Sequence, residues 1–97
     1  DITAHAEIVT IREACSKRGT IDLSGGKIYS TTEPCPMCFS AIHWAKIQRI
    51  VFGTGIKDAR GFGFNELGIS NVDMKRLGGS SLTVEGEFMR DEAIRVF

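Results

Sequence analysis

Residues 27–53, KIYSTTEPCPMCFSAIHWAKIQRIVFG, change periodicity twice, and that change decides the fold class. Lys27 to Thr31 read as a short strand, with Ile28, Tyr29 and the β-branched Thr31 favouring extended backbone. Pro34 stops the strand. Pro36 stands where the first turn of a helix would begin, a place that tolerates proline because the missing N–H has no helical acceptor there. The helix is expected to run to about Ile47, with Met37, Ala41, Ile42, Trp44 and Ala45 as its apolar positions. Arg49 to Gly53 follows as a second strand, an Ile50-Val51-Phe52 run closed by glycine.

Working outward, residues 4–18 read as a helix. Ile8, Ile11, Ala14 and Cys15 recur at helical spacing, and Glu7, Arg12, Glu13, Lys17 and Arg18 fill most of the rest. Thr3 is the expected N-cap and Gly19 the residue just past the end. Residues 20–27, with Gly25-Gly26, form a turn-rich connection. Gly53 to about Gly63 carries Gly53, Gly55, Gly61 and Gly63 and reads as an irregular loop. A short helix is expected within 64–77, a third strand over Ser81–Glu85, and a final helix over Met89–Phe97 with Ala93, Ile94 and Phe97 inward. Alternating helices and strands predict an α/β layered fold, and 97 residues predict one domain spanning 1–97.

Composition narrows the function classes. Twelve Lys and Arg balance twelve Asp and Glu, so the chain lacks the basic excess usual in nucleic-acid binders. No apolar run approaches the roughly 20 residues of a membrane span, and no signal peptide pattern is visible. Three cysteines are too few for a disulfide framework, and two of them form a C-x-x-C pair. A reducing, cytoplasmic setting is expected, with metal binding and redox chemistry both open for that pair. The chain begins at Asp1 without an initiator Met, five positions before the first metal-type residue, so further chain upstream is expected.

The chemistry is concentrated in His5-Ala6-Glu7 and Pro34-Cys35-Pro36-Met37-Cys38, each at the start of an expected helix. Cysteines three apart on a first helical turn point the same way. The helix N-terminus favours their thiolates, and thiolates at that spacing are zinc ligands. His5 adds a neutral imidazole. A Cys₂His set leaves a fourth position for water, the pattern of a catalytic rather than a structural zinc. Zinc brings the pKa of such a water towards neutrality, and Glu7, two residues beyond His5, can move its protons without being a ligand. A lone histidine at a helix start is usually a cap, and a lone C-x-x-C is as easily redox-active. Together, H-x-E and P-C-x-x-C form the zinc deaminase signature. The 27 residues between Glu7 and Cys35 hold a helix, a loop and a strand, enough chain to bring the two helix starts together.

On these residues the chain resembles the cytidine deaminase superfamily of zinc-dependent nucleobase deaminases. The resemblance rests on Thr3-Ala4-His5-Ala6-Glu7, Ile11-Arg12-Glu13-Ala14-Cys15, Ile28-Tyr29, Glu33-Pro34-Cys35-Pro36-Met37-Cys38 and Ala41-Ile42-His43-Trp44-Ala45-Lys46. Asp58-Ala59 and Gly63-Phe64 extend it, so that it covers roughly residues 1–66. The A-H-A-E and E-P-C-x-M-C stretches are shared with bacterial tRNA adenosine deaminases. Trp44-Ala45 and the Asp-Ala then Gly-Phe run are more similar to bacterial guanine deaminases.

The resemblance implies a three-layer α-β-α fold around a five-stranded sheet, of which this chain would lack the N-terminal helix and first two strands. It implies Zn²⁺ on His5, Cys35 and Cys38, with Glu7 as proton shuttle. It implies hydrolysis of an exocyclic amine on a small-molecule nucleobase, first guanine to xanthine. The alternatives are adenosine in tRNA, a cytosine or cytidine-type base, and, outside enzymes, a zinc-binding module without activity. The Ala6 N–H is then expected to bind the base carbonyl and the Glu33 carbonyl to face the leaving amine. Trp44 is expected as a pocket wall or as an ordinary helix aromatic.

 Near Asn65-Glu66 the guanine group carries an acidic pair; here the first position is Asn, a departure, so Glu66 is the acidic residue expected at the substrate. Cys15 is expected to be a small buried residue and His43 a surface or pocket-rim residue. A homodimer is the expected assembly.

Overall fold

The computed structural model describes residues 1–96. In chain order it contains α1 (Ala6–Arg18), β1 (Lys27–Thr32), α2 (Pro36–Trp44), β2 (Arg49–Thr54), α3 (Ile56–Gly61), α4 (Asn71–Gly78), β3 (Thr83–Glu85) and α5 (Arg90–Ile94). The three strands form one parallel sheet in the order β1-β2-β3, with Ile28 opposite Ile50 and Ile50 opposite Val84. Because side chains alternate across a strand, β2 feeds both faces of the sheet. Ile50 and Phe52 join Ile28, Leu23, Phe39, Ile42, Ala45, Ile47 and Leu82 in the main core. Ile11, Ala14 and Cys15 from α1 and Met74 from α4 pack against it. On the opposite face, α5 lies on β1 and β2, with Ala93 buried over Gly53. The result is the expected α-β-α layering. Each large apolar side chain in the core contributes roughly 1.5–3 kcal/mol by leaving water.

The glycine-rich stretch after β2 is ordered, which corrects the expectation of an irregular loop. β2 continues to Thr54 and α3 occupies Ile56–Gly61. Gly55 is the N-cap of α3, and the Asp58 carboxylate accepts the Gly55 amide at 2.8 Å. This local bond starts a helix in which the only interior-turn glycine, Gly61, comes at the end.

Three helix boundaries also differ. α2 ends at Trp44, short of Ile47, because Lys46 takes a left-handed conformation (φ 64°). The Ile47 amide then reaches back to the Ile42 carbonyl at 3.2 Å, closing the end as a glycine would. α1 is capped by His5, not by Thr3. The Asp1 carboxylate accepts both the amide and the hydroxyl of Thr3, so that residue is held in the preceding turn. Gly19 does end α1 in the left-handed region (φ 65°). α5 is shorter than Met89–Phe97. Ala93 is buried, Ile94 is half-buried, and Phe97 lies outside the described residues. Among the described residues, no helix is long and apolar enough to cross a membrane.

Candidate active site

Two helix starts meet at the C-terminal end of β1, where parallel α/β sheets place their ligand sites. Thr32 ends the strand, and Glu33-Pro34 leads directly into Cys35, the N-cap of α2. Pro36 occupies the first helical position, as its fixed φ allows. Cys38, on the first turn, is fully buried. α1 packs against α2 and brings its own N-cap, His5, to the same place.

His5 Nδ1 lies 3.6 Å from Cys35 Sγ and 3.5 Å from Cys38 Sγ, and the three ligand atoms all lie within 4.8 Å of one another. The spacing suits zinc. Bonds of about 2.3 Å to sulfur and about 2.0–2.1 Å to nitrogen, set tetrahedrally, put nitrogen and sulfur about 3.5 Å apart. Among the described residues no fourth His, Cys, Asp or Glu joins the cluster.

Burial pushes the Cys38 thiol well above its ordinary range, and the Glu7 carboxylate and Cys35 push it further. A buried thiol beside a carboxylate resists ionising alone. A dication bound at the cluster would supply positive charge and hold both sulfurs as thiolates. The same interaction locates Glu7: its carboxylate lies close enough to Cys38 to act on it by charge and by hydrogen bonding. Glu7 is half-buried on the first turn of α1.

The remaining candidates are distributed differently. Ala6 opens α1, where an amide has no acceptor within the helix, and it is exposed. Glu33 extends the sheet: its amide donates to the Thr54 carbonyl at 2.7 Å. Its buried carboxylate accepts the Ile56 amide at 2.9 Å and the Asn71 amide at 2.6 Å. Glu66 is half-buried in the segment between α3 and α4. Trp44 stands apart from the cluster. It ends α2, about 13 Å of helical rise from Cys35. Its ring is 78% exposed, meets His43 edge-on, and borders a hollow with Ser24, Gly25, Lys46 and Gln48. His43 is exposed and shares a 2.9 Å contact with Ser80 Oγ. Cys15 is half-buried against the core.

The sequence reading missed Asn71. It is fully buried, and its Nδ2 donates to the Pro34 carbonyl at 2.7 Å. Ser70-Asn71-Val72-Asp73 reads as an ordinary helix start, and Ser70 does cap α4 by accepting the Asp73 amide. Nothing in that pattern signals that the residue after the cap is buried.

Residues 1–54 match the family described as the cytidine and deoxycytidylate deaminase zinc-binding region. The chain belongs to this family. It is 41% identical over 66 residues to the guanine deaminase of Bacillus subtilis (strain 168), a match covering 68% of this chain and 42% of that protein. It is 51% identical over 53 residues to a tRNA-specific adenosine deaminase of Agrobacterium fabrum, covering 55% of this chain and 35% of that one. The solved guanine deaminase of Nitrosomonas europaea superposes with a TM-score of 0.84 at 30% identity, over 97% of this chain and 54% of that structure. The chain thus spans between about a third and a little over half of these relatives. As a member of a zinc-binding deaminase family, it carries its metal-type residues within the matched segment.

Proposed function

We propose that this chain is the zinc-bearing part of a hydrolytic nucleobase deaminase, with His5, Cys35 and Cys38 as ligands, Glu7 as the catalytic acid and base, and guanine as substrate. The observation that carries the reading is the three-atom cluster with the Glu7 carboxylate beside it. A structural zinc has four protein ligands and no use for a neighbouring carboxylate. Zinc bound there would supply a Lewis acid that brings the pKa of a water molecule towards neutrality.

The chain's own residues do the rest. The exposed Ala6 amide is a donor for the carbonyl oxygen of the base, and Glu33 lines the same strand end. Glu7 accepts a proton from the water that adds to the amine-bearing ring carbon. It returns protons to the ring nitrogen and then to the exocyclic amine as the C–N bond breaks, so water and guanine become xanthine and ammonia. Glu66 is the acidic residue available to hydrogen-bond the purine.

Guanine is favoured by the two guanine deaminase relatives and by the neutral charge balance. Adenosine in tRNA is the second reading, supported by the 51% identity around the site to a tRNA-specific adenosine deaminase. The deciding measurement is ammonia release by the full-length protein from guanine, adenine, cytosine, cytidine and a tRNA anticodon hairpin. Release from guanine alone is expected. Release from the hairpin and not from guanine would overturn the substrate, and release from none would overturn the enzyme.

A further inference from the structure

The two ligand arms are held to different degrees. His5 is exposed and caps α1 without a side-chain bond of its own to the backbone. The arm that carries Cys35 is tethered from three elements. The Glu33 amide is fixed by Thr54 of β2, and the Glu33 carboxylate by the first amides of α3 and α4. The Pro34 carbonyl is fixed by the Asn71 side chain. Pro34 itself is fully buried and has no N–H to donate.

We propose that Glu33 and Asn71 form a clasp that sets the Pro34–Cys35 peptide and thereby aims the Cys35 thiolate, so that both are positioning residues for the metal. The inference rests on the ligand set proposed above. Its physical basis is the combination found at Asn71. A fully buried amide side chain is costly unless paired. Among the described residues the Asn71 Oδ1 has no hydrogen-bond partner, so its burial is not explained by full satisfaction of the group. What the side chain does supply is one donor, aimed at the carbonyl immediately before a ligand. Glu33 complements it. Its buried carboxylate accepts the first amides of two helices, α3 and α4. One anion therefore ties α3 and α4 to the residue two before Cys35. Groups that orient a ligand without touching the metal are worth roughly 10–100-fold in metal affinity.

The test measures zinc affinity of the full-length protein by competition with a chromophoric chelator, and the visible absorption of its cobalt(II) form, which reports thiolate geometry. Asn71→Ala is expected to weaken zinc binding by roughly 10-fold or more and to shift the cobalt bands. Ile50→Ala, a core truncation on β2 away from Pro34, gives the effect of lost stability alone. A loss at Asn71→Ala no larger than that of Ile50→Ala, with unchanged cobalt bands, would overturn the clasp. If Asn71→Ala does not fold, Glu33→Gln decides by the same two readouts, since it keeps the shape but turns one acceptor into a donor facing an amide. Cys35→Ala separates this inference from the ligand set. Zinc bound as tightly by Cys35→Ala as by the parent would overturn the ligands. Zinc lost in Cys35→Ala but unaffected in Asn71→Ala would overturn the clasp alone.

Discussion

Glu7 follows His5 by two residues on the first turn of α1, and its charge pushes the Cys38 thiol up. That placement separates catalytic from structural zinc at the level of one side chain. Glu7→Gln keeps shape and hydrogen-bonding capacity but moves no protons. It is expected to fold and bind zinc like the parent while losing at least about 10²–10⁴ in kcat, the usual worth of acid–base help. Steady-state ammonia release and elemental analysis check both halves. A variant without zinc would put Glu7 in the coordination shell, and one with near-parental turnover would remove it from the chemistry. The cluster of His5, Cys35 and Cys38 was legible in the sequence because few residue types bind zinc, and their spacing is fixed by helix starts. Asn71 was not legible, because its role comes from what packs over it.

At the scale of elements, α3 depends on a charge as well as on its backbone. Asp58 accepts the Gly55 amide and pairs with Arg90, which joins α3 to the start of α5. The Gly55 amide, and then Arg90, hold the Asp58 carboxyl below the usual carboxylate range. A group whose folded pKa is depressed stabilises the fold above its unfolded pKa, and that contribution is lost as pH falls through the folded value. Asp58→Ala is therefore expected to cost roughly 0.5–1.5 kcal/mol at neutral pH. Each kcal/mol corresponds to about 4–8 °C in Tm for a domain of this size. The gap between variant and parent should be complete above about pH 4 and shrink below it. Urea unfolding at pH 7 and pH 3 measures it; an equal gap at both would assign the effect to something other than the charge. The glycine count concealed α3, since glycine frequency says nothing about whether one glycine serves as a cap.

At the scale of the molecule, metal and fold are coupled. The ligands come from two helix starts joined through the α1–α2 packing, so zinc bound there would tie the start of α1 to the start of α2. Removal of zinc by a chelator is expected to lower Tm, with recovery on adding back zinc at about one ion per chain, because binding free energy that a native site alone gains is folding free energy. Thermal melts with and without chelator check this, and an unchanged Tm would mean that no zinc bridges the helices. The same neutral surface bears on the substrate. Activity on a free base should respond weakly to salt, whereas binding that neutralises several phosphates weakens by orders of magnitude from low to moderate salt. Turnover measured from 50 to 200 mM salt distinguishes the two.

The sequence by itself determined the α/β class, the order of the elements around the site, and the His5, Cys35 and Cys38 set that the fold gathers into a metal-type cluster. These follow from local rules: proline at a helix start, alternation in a strand, thiolates one turn apart. Only the tertiary structure decided that Trp44 stands at the far end of α2, that α2 stops at a left-handed Lys46, and that Glu33 and Asn71 grip the ligand turn. The grip of Glu33 and Asn71 depends on residues 23 to 38 positions apart in the chain meeting in space, and no local periodicity encodes which amide will face a buried carboxylate.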